Sequence, residues 1–333
     1  MSIDQLENIA KAMVAPGKGI IAIDESTNTI KRRFDAVGVE STEENRRAYR
    51  EMLLTTPKLN EYISGAILFD ETLRQSTRDG VPFTKVMTDA GILPGIKVDK
   101  GTVALAGFPG DVVTEGLDGL RPRLKEYAKL GAKFAKWRAV IAISEDNPSG
   151  TCIEANCQVL ARYAALCQEA GLVPMVEPEV LMDGDHDIEI CYEVTEATLR
   201  SLFAALYEHN VLLEGTILKV NMVIAGKDSP DQASVDEVAR ETLRCLKATV
   251  PALLPGIVFL SGGQSDEHAT AHLNAMNTLP GRPWPLSFSY GRAMQQAALK
   301  LWATDMSGNY AKAQETVYAR ARDNGLAALG KWK

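Results

Sequence analysis

Gly19-Ile20-Ile21-Ala22-Ile23-Asp24-Glu25-Ser26-Thr27 is the stretch on which the fold reading turns. Residues 19–24 form a short apolar run of β type, and a polar, acidic turn follows. In an open doubly wound sheet, the first strand runs into a Gly-x-Gly-x-x-Gly turn. Asp24-Glu25-Ser26-Thr27 stands there instead. Outward from this point the strand-then-helix pattern repeats, with strands predicted at 19–24, 66–69, 95–98, 134–140, 172–176, 213–219, 256–260 and 285–289. Their starts lie 29 to 47 residues apart, room for a helix and a loop in every gap. Helical spacing fills the gaps, as in Leu124-x-x-Tyr127-x-x-Leu130 and Val159-Leu160-x-x-Tyr163-x-x-Leu166-Cys167. Ser41-x-x-Glu44 has the spacing of a capping box. Eight such units, with no linker, low-complexity tract or repeat between them, predict an α/β chain. It is one (β/α)8 TIM barrel over residues 1–333, with an extra N-terminal helix and C-terminal helices.

Composition is that of an ordinary globular chain, with 46% hydrophobic and 24% charged residues among 333. A formal charge of −7 argues against general binding to nucleic acid or an anionic membrane surface. No apolar run approaches the roughly 18 residues that a membrane span needs. Met1-Ser2-Ile3-Asp4-Gln5-Leu6-Glu7 carries acid where a signal peptide has basic and apolar blocks. It reads as a capped helix, with Ser2 and Gln5 at capping-box spacing and Ile3, Leu6, Ile9, Ala10 and Met13 on one face. Cys152, Cys157, Cys167, Cys191 and Cys245 form no Cys-x-x-Cys pair, which suits reduced thiols in a cytoplasmic protein.

Barrel chemistry sits at the C-terminal ends of the strands. Those ends read Asp24, Lys97, Lys136 with Arg138, Glu177 with Glu179, Lys219, Ser261, and Ser289 with Arg292. One such charge is ordinarily a side chain reaching solvent; the same pattern on seven of eight strands is harder to dismiss. Lys136 and Arg138 are two apart and share a face, with Trp137 on the other. Glu177 and Glu179 are also two apart, although Pro178 between them is expected to bend the strand. Lys219 shares a face with Gly215 and Ile217, and Gly215 is expected to leave space beside it. Facing inward, Lys97, Lys136, Arg138, Lys219 and Arg292 oppose Asp24, Glu177 and Glu179. That net positive mouth in an acidic protein suits a small, highly anionic ligand. Leu260-Ser261-Gly262-Gly263-Gln264 and Ser289-Tyr290-Gly291-Arg292 point to phosphate, because glycines let backbone N–H groups approach it and the next helix offers its N-terminal end.

Lys219 is the candidate nucleophile. Its apolar neighbours and a nearby Lys136 are expected to disfavour the ammonium and free the amine to attack a carbonyl. The resulting iminium draws electrons from an adjacent C–C bond, while a carboxylate takes the hydroxyl proton. This reaches a Schiff-base lyase acting on a phosphorylated carbonyl compound and does not name the sugar. A metal route is weaker. His268 and His272 lie four apart on a helix without a third ligand. Asp183-Gly184-Asp185-His186-Asp187 lacks the full calcium-loop pattern and reads as a structural turn. No metal or other cofactor is assigned.

The chain resembles the class I fructose-1,6-bisphosphate aldolases over nearly its whole length. The resemblance is carried by Ala15-Pro16-Gly17-Lys18-Gly19-Ile20, Asp24-Glu25-Ser26-Thr27, Thr42-Glu43-Glu44-Asn45-Arg46-Arg47 and Gly95-Ile96-Lys97-Val98-Asp99-Lys100-Gly101. Phe134-Ala135-Lys136-Trp137-Arg138, Val176-Glu177-Pro178-Glu179, the Lys219 strand, Leu260-Ser261-Gly262-Gly263-Gln264-Ser265 and Phe288-Ser289-Tyr290-Gly291-Arg292 complete it. It implies a metal-independent homotetramer of glycolysis and gluconeogenesis. Such an enzyme reversibly cleaves fructose 1,6-bisphosphate to dihydroxyacetone phosphate and glyceraldehyde 3-phosphate. Lys219 would be the Schiff-base lysine, and Glu177 the acid/base around carbinolamine formation and dehydration. Glu179 would support it, Asp24 would handle the hydroxyl proton during cleavage, and Lys136 would stand beside the iminium. One phosphate would sit on Ser261, Gly262, Gly263, Gly291 and Arg292 near Ser289. The other would meet Ser26, Thr29, Arg33, Lys97 and Arg138.

Some positions depart from the family pattern. Thr29 stands where serine is familiar, Arg32 where lysine is, and Val220 where proline is usual. Gly330-Lys331-Trp332-Lys333 lies where animal members continue into a tail ending in tyrosine that assists proton exchange. An internal carboxylate or water is expected to serve here. Two alternatives stay open at this point: a Schiff-base aldolase or transaldolase for another phosphorylated sugar, and a phosphosugar-binding protein without turnover.

Overall fold

The computed structural model describes residues 3–333, so the Ser2 half of the N-terminal capping box lies outside the described residues. The strands are β1 (Gly19–Ile23), β2 (Ile63–Leu68), β3 (Leu93–Lys97), β4 (Thr102–Ala104), β5 (Val112–Thr114), β6 (Phe134–Ile141), β7 (Val173–Val180), β8 (Ile217–Val220), β9 (Ile257–Phe259) and β10 (Leu286–Tyr290). Eight of them close a parallel barrel in the order β1-β2-β3-β6-β7-β8-β9-β10. Helices flank the strands, a helix at Ile3–Met13 precedes them, and Tyr310–Ala327 ends the helical series. The predicted (β/α)8 class and all eight of its strands are present. The antiparallel ribbon β4–β5 was not predicted; its three-residue strands are too short to show a period.

Side-chain alternation along each strand builds two environments. Outward positions such as Ile21, Ile23, Ala135, Trp137, Leu218, Phe259 and Phe288 pack beneath the surrounding helices. Inward positions Ile20, Ala22, Ile67, Phe134, Val173, Met175, Ile217 and Val258 fill the barrel's lower half. Leu6, Ala10, Met13 and Val14 of the N-terminal segment join that cluster and close the bottom. Ile3, expected on the same face, is exposed. Gly95 of β3 is required for this filling, because a Cβ there would run into the Phe134 ring. With the lower layer apolar, the next inward positions up β6, β7 and β8 are Lys136 and Arg138, Glu177 and Glu179, and Lys219. Strand period thus carries the charges to one mouth.

Several local expectations are corrected. The helix Glu43–Leu54 is capped by Thr42, whose Oγ1 accepts from Asn45 N at 3.1 Å. Ser41 instead accepts from Arg46 through its carbonyl at 2.7 Å. Residues 213–215 form a 3-10 turn rather than the start of β8. Gly215 packs at the barrel floor, where a Cβ would lie 3.0 Å from Leu6 Cβ, so it makes no room beside Lys219. Pro178 does not interrupt β7, which stays in register with β6 through Val180. Pairing likewise continues through Val220 to Phe259.

Candidate active site

A cavity of about 530 Å³ opens at the C-terminal mouth of the barrel. Asp24 hangs from the end of β1, Lys97 from β3, Lys136 and Arg138 from β6, Glu177 and Glu179 from β7, and Lys219 from β8. Ser261 and Gly262 follow β9, and Ser289, Gly291 and Arg292 complete the ring with Ser26, Thr29 and Arg33. Of the sequence-derived site residues, Gly263 alone lies outside this lining. It borders an adjoining cavity of about 240 Å³ that shares Arg138, Glu179, Gly262 and Arg292. Seven cationic and four acidic side chains line the main cavity, because Arg32, Arg33 and Glu25 join the eight charges expected to face inward. The mouth is net positive by three.

At the floor, Lys219 Nζ lies 2.9 Å from Glu177 Oε1 and Lys136 Nζ lies 3.2 Å from Glu177 Oε2. Lys136 also pairs with Asp24 Oδ2 at 2.7 Å. The surroundings of Lys219 are therefore not the apolar ones its sequence neighbours suggest, and Lys136 faces it across a carboxylate. Burial by itself would raise the Asp24 carboxyl, but Lys136, Lys219 and Lys97 outweigh it and hold it well below the usual carboxylate range. Glu177 is held down in the same way, against burial, by Lys136, Lys219 and Arg138. Burial would lower Lys136, yet Asp24, Glu177 and Asp99 push it above the usual lysine value.

Two helix N-termini open on the cavity from opposite chain ends. The helix Thr27–Asp35 has Ser26 at its cap with no side-chain acceptor on its first N–H groups; the Ser26 hydroxyl instead meets Thr29 Oγ1 at 3.1 Å. The helix Arg292–Thr304 has Gly291 at its cap and again no side-chain cap. Uncapped N–H groups and the helix dipole favour an anion. By contrast, the helix Asp266–Thr278 after the Gly262-Gly263 turn is capped by Ser265 and carries Asp266 and Glu267 in its first turn. Its N-terminus is thereby taken, contrary to the expectation that it serves phosphate. The buried Ser289 hydroxyl at the cavity has no hydrogen-bond partner.

The cations are poised unequally. Lys97 Nζ is held by Asp99 Oδ1 at 2.5 Å and by the Asp99 carbonyl at 2.9 Å. Arg138 pairs with Glu179, and Arg33 with Glu25. Arg32 and Arg292 have no ion-pair partner among the described residues. Sequence reading missed Glu25 and Asp99. The signal for Asp99 was present, since it lies two residues beyond Lys97; Glu25 follows Asp24 directly and gave no periodic hint. His272, one of the metal candidates, has Nδ1 2.8 Å from Gln264 Oε1. All five cysteines are buried and unbridged.

This mouth has a buried lysine–carboxylate floor and two helix N-termini without side-chain caps. The family description "Fructose-bisphosphate aldolase class-I" matches residues 5–333. The chain belongs to the class-I fructose-bisphosphate aldolase family. It is 77% identical over 333 residues to a probable fructose-bisphosphate aldolase class 1 of Xanthomonas campestris pv. campestris, covering all of both chains. To the cytosolic fructose-bisphosphate aldolase 4 of Arabidopsis thaliana it is 56% identical, over 96% of this chain and 81% of that one. Its fold matches that of a Plasmodium falciparum fructose-bisphosphate aldolase, solved with TRAP and a small-molecule inhibitor, at a TM-score of 0.97. Identity there is 49%, covering 99% of this chain and 95% of that one. The family acts on a phosphorylated sugar, so the aldolase reading replaces the binding-protein alternative. No helix of the described residues is long and apolar enough to cross a membrane.

Proposed function

We propose that this cavity cleaves fructose 1,6-bisphosphate reversibly to dihydroxyacetone phosphate and glyceraldehyde 3-phosphate, with Lys219 as the amine that bonds the C2 carbonyl. The observation that carries the assignment is the 2.9 Å contact between Lys219 Nζ and Glu177 Oε1 at the cavity floor. A lysine must shed a proton before it attacks, and Glu177 is the acceptor within reach. Glu177 then returns that proton to the carbinolamine hydroxyl, which leaves as water, and Lys219 is left as an iminium. Asp24, kept ionised by Lys136, takes the C4 hydroxyl proton. The C3–C4 electron pair moves toward the iminium and leaves an enamine, and the aldehyde product departs. Protonation of the enamine and hydrolysis return Lys219.

Lys136 supplies fixed positive charge between Asp24 and Glu177. Glu179 supports the site by holding Arg138. One phosphate is assigned to Ser261, Gly262, Gly263, Ser289, Gly291 and Arg292, and the other to Ser26, Thr29, Arg33, Lys97 and Arg138. The protein acts as one catalytic domain over residues 1–333, in a cytoplasmic homotetramer.

Borohydride reduction with dihydroxyacetone phosphate, EDTA present throughout, followed by peptide mass spectrometry, tests the assignment. A reduced adduct on Lys219 is the expected result. An unmodified Lys219 in protein that still cleaves the sugar would overturn it. Light scattering at four times the chain mass is expected in the same buffer.

A further inference from the structure

The two uncapped helix ends of the mouth are joined by a buried bridge with no reacting atom in it. Glu25 sits between Asp24 and Ser26, at the entry to the helix Thr27–Asp35. One of its oxygens, Oε1, accepts from Gln295 Nε2 at 2.5 Å and from Arg33; the other accepts from Arg50 Nη2 at 2.9 Å. Gln295 lies in the first turn of the opposite helix, and its N–H bonds the Gly291 carbonyl at 3.2 Å. Its Nε2 also donates to the Ala22 carbonyl at 3.0 Å, and its Oε1 accepts from Tyr49 Oη at 2.9 Å. Gln295, Arg50 and Tyr49 are 2%, 0% and 0% exposed, so water cannot replace these contacts.

We propose that the Glu25–Gln295 bridge fixes the separation of the two phosphate sites, making both residues positioning determinants of bisphosphate selectivity. The inference rests on the phosphate assignment above. A ligand with two phosphates must satisfy both helix ends at once, so its binding depends on how firmly they are held apart. A ligand with one phosphate engages a single end and tolerates drift in the other. Glu25 also aims Arg33 into the second site, so the same carboxylate sets both the spacing and the orientation of one cation.

The test compares kcat/KM on fructose 1,6-bisphosphate and on fructose 1-phosphate in Gln295→Leu, with thermal midpoints recorded. The bisphosphate value is expected to fall about tenfold and the monophosphate value less than about threefold. Tyr49→Phe removes an equally buried hydrogen bond but leaves Glu25 and Gln295 in contact, and is expected to keep the wild-type ratio. If Gln295→Leu does not fold, Glu25→Gln carries the test; it keeps the shape, loses the charge that holds Arg33, and is expected to move the ratio the same way. A parallel fall on both substrates would overturn the bridge's role, as would the same ratio change in Tyr49→Phe. Absence of bisphosphate cleavage in the unaltered protein would remove the functional reading, and this inference with it.

Discussion

Lys219 and Lys136 meet across a single carboxylate, Nζ of the first 2.9 Å from Glu177 Oε1 and Nζ of the second 3.2 Å from Oε2. Both lysines are buried. Two lysine side chains in such a place disfavour each other's charge, and the carboxylate between them offsets that repulsion; the proposed function asks the same carboxylate to carry a proton. Structure and chemistry therefore place different demands on Glu177, and substitution separates them.

Glu177→Gln keeps the shape and hydrogen-bonding capacity but loses the charge and the proton acceptor. Turnover on fructose 1,6-bisphosphate is expected to fall by about 10²- to 10⁴-fold, the usual range for a lost acid/base. Borohydride-trappable adduct should also form more slowly in a single turnover. A variant within about threefold of wild type in both would sink the assignment of proton transfer to Glu177.

Gly263 stands at φ +77°, and a Cβ there would strike the Met182 side chain. Gly263→Ala is expected to displace the Ser261–Gly262 turn and raise KM for the bisphosphate about tenfold or more, with a smaller change in kcat. Adding Met182→Ala removes the clash and leaves the backbone strain, so it should restore only part of the loss. Full recovery in the double variant would show that φ does not matter there; KM values settle it.

His272 is buried against Gln264, at the back of that turn. Burial first, and His268 second, push its imidazole down to about 4. Its folded value lies below the ordinary 6.5, so the unfolded chain binds more protons between those limits and stability rises with pH. The contribution is complete above about pH 6.5 and is lost as pH falls toward 4, by about 3 kcal/mol in all. His272→Gln keeps an amide near Gln264 and cannot titrate. Its thermal midpoint should therefore vary less between pH 4 and 6.5 than that of wild type. Identical pH curves for the two proteins would count against a buried neutral imidazole.

Strand period makes much of this site legible in the sequence. Lys136 and Arg138, or Glu177 and Glu179, are two apart, so one inward face had to carry both members. The closed barrel then brought them together with Lys219. What sequence could not show was the partner of each charge. Lys219 looks apolar in its own strand, because its counter-ion comes from the neighbouring β7. Gly215 looked like space beside Lys219 because a 3-10 turn reads much like a strand end. Glu25 and Gln295 lie about 270 residues apart and touch only because β1 and β10 close the barrel. The Gly-Gly turn suggested an open helix N-terminus, but Ser265 caps that helix.

Asp24 gives an acid-side test of the same charge cluster. Lys136, Lys219 and Lys97 hold its carboxyl below the ordinary value despite burial. A depressed carboxylate stabilises the fold above its unfolded pKa of about 3.9, and that contribution fades as pH falls through the folded value. Asp24→Asn loses the contribution outright and leaves Lys136 with Glu177 alone. The variant should be less thermostable than wild type at pH 7, because breaking one side of a buried pair ordinarily costs about 3–5 kcal/mol. Below pH 4 the gap should narrow, since the unfolded wild-type chain then takes up a proton at Asp24 that the folded chain resists. Cleavage should fall at every pH, because the amide cannot take the C4 hydroxyl proton. Thermal midpoints at pH 3, 5 and 7 read the first effect and initial rates the second. A stability gap that stays constant from pH 7 to 3 would mean that the Asp24 charge does not contribute to the fold, whatever it does in cleavage.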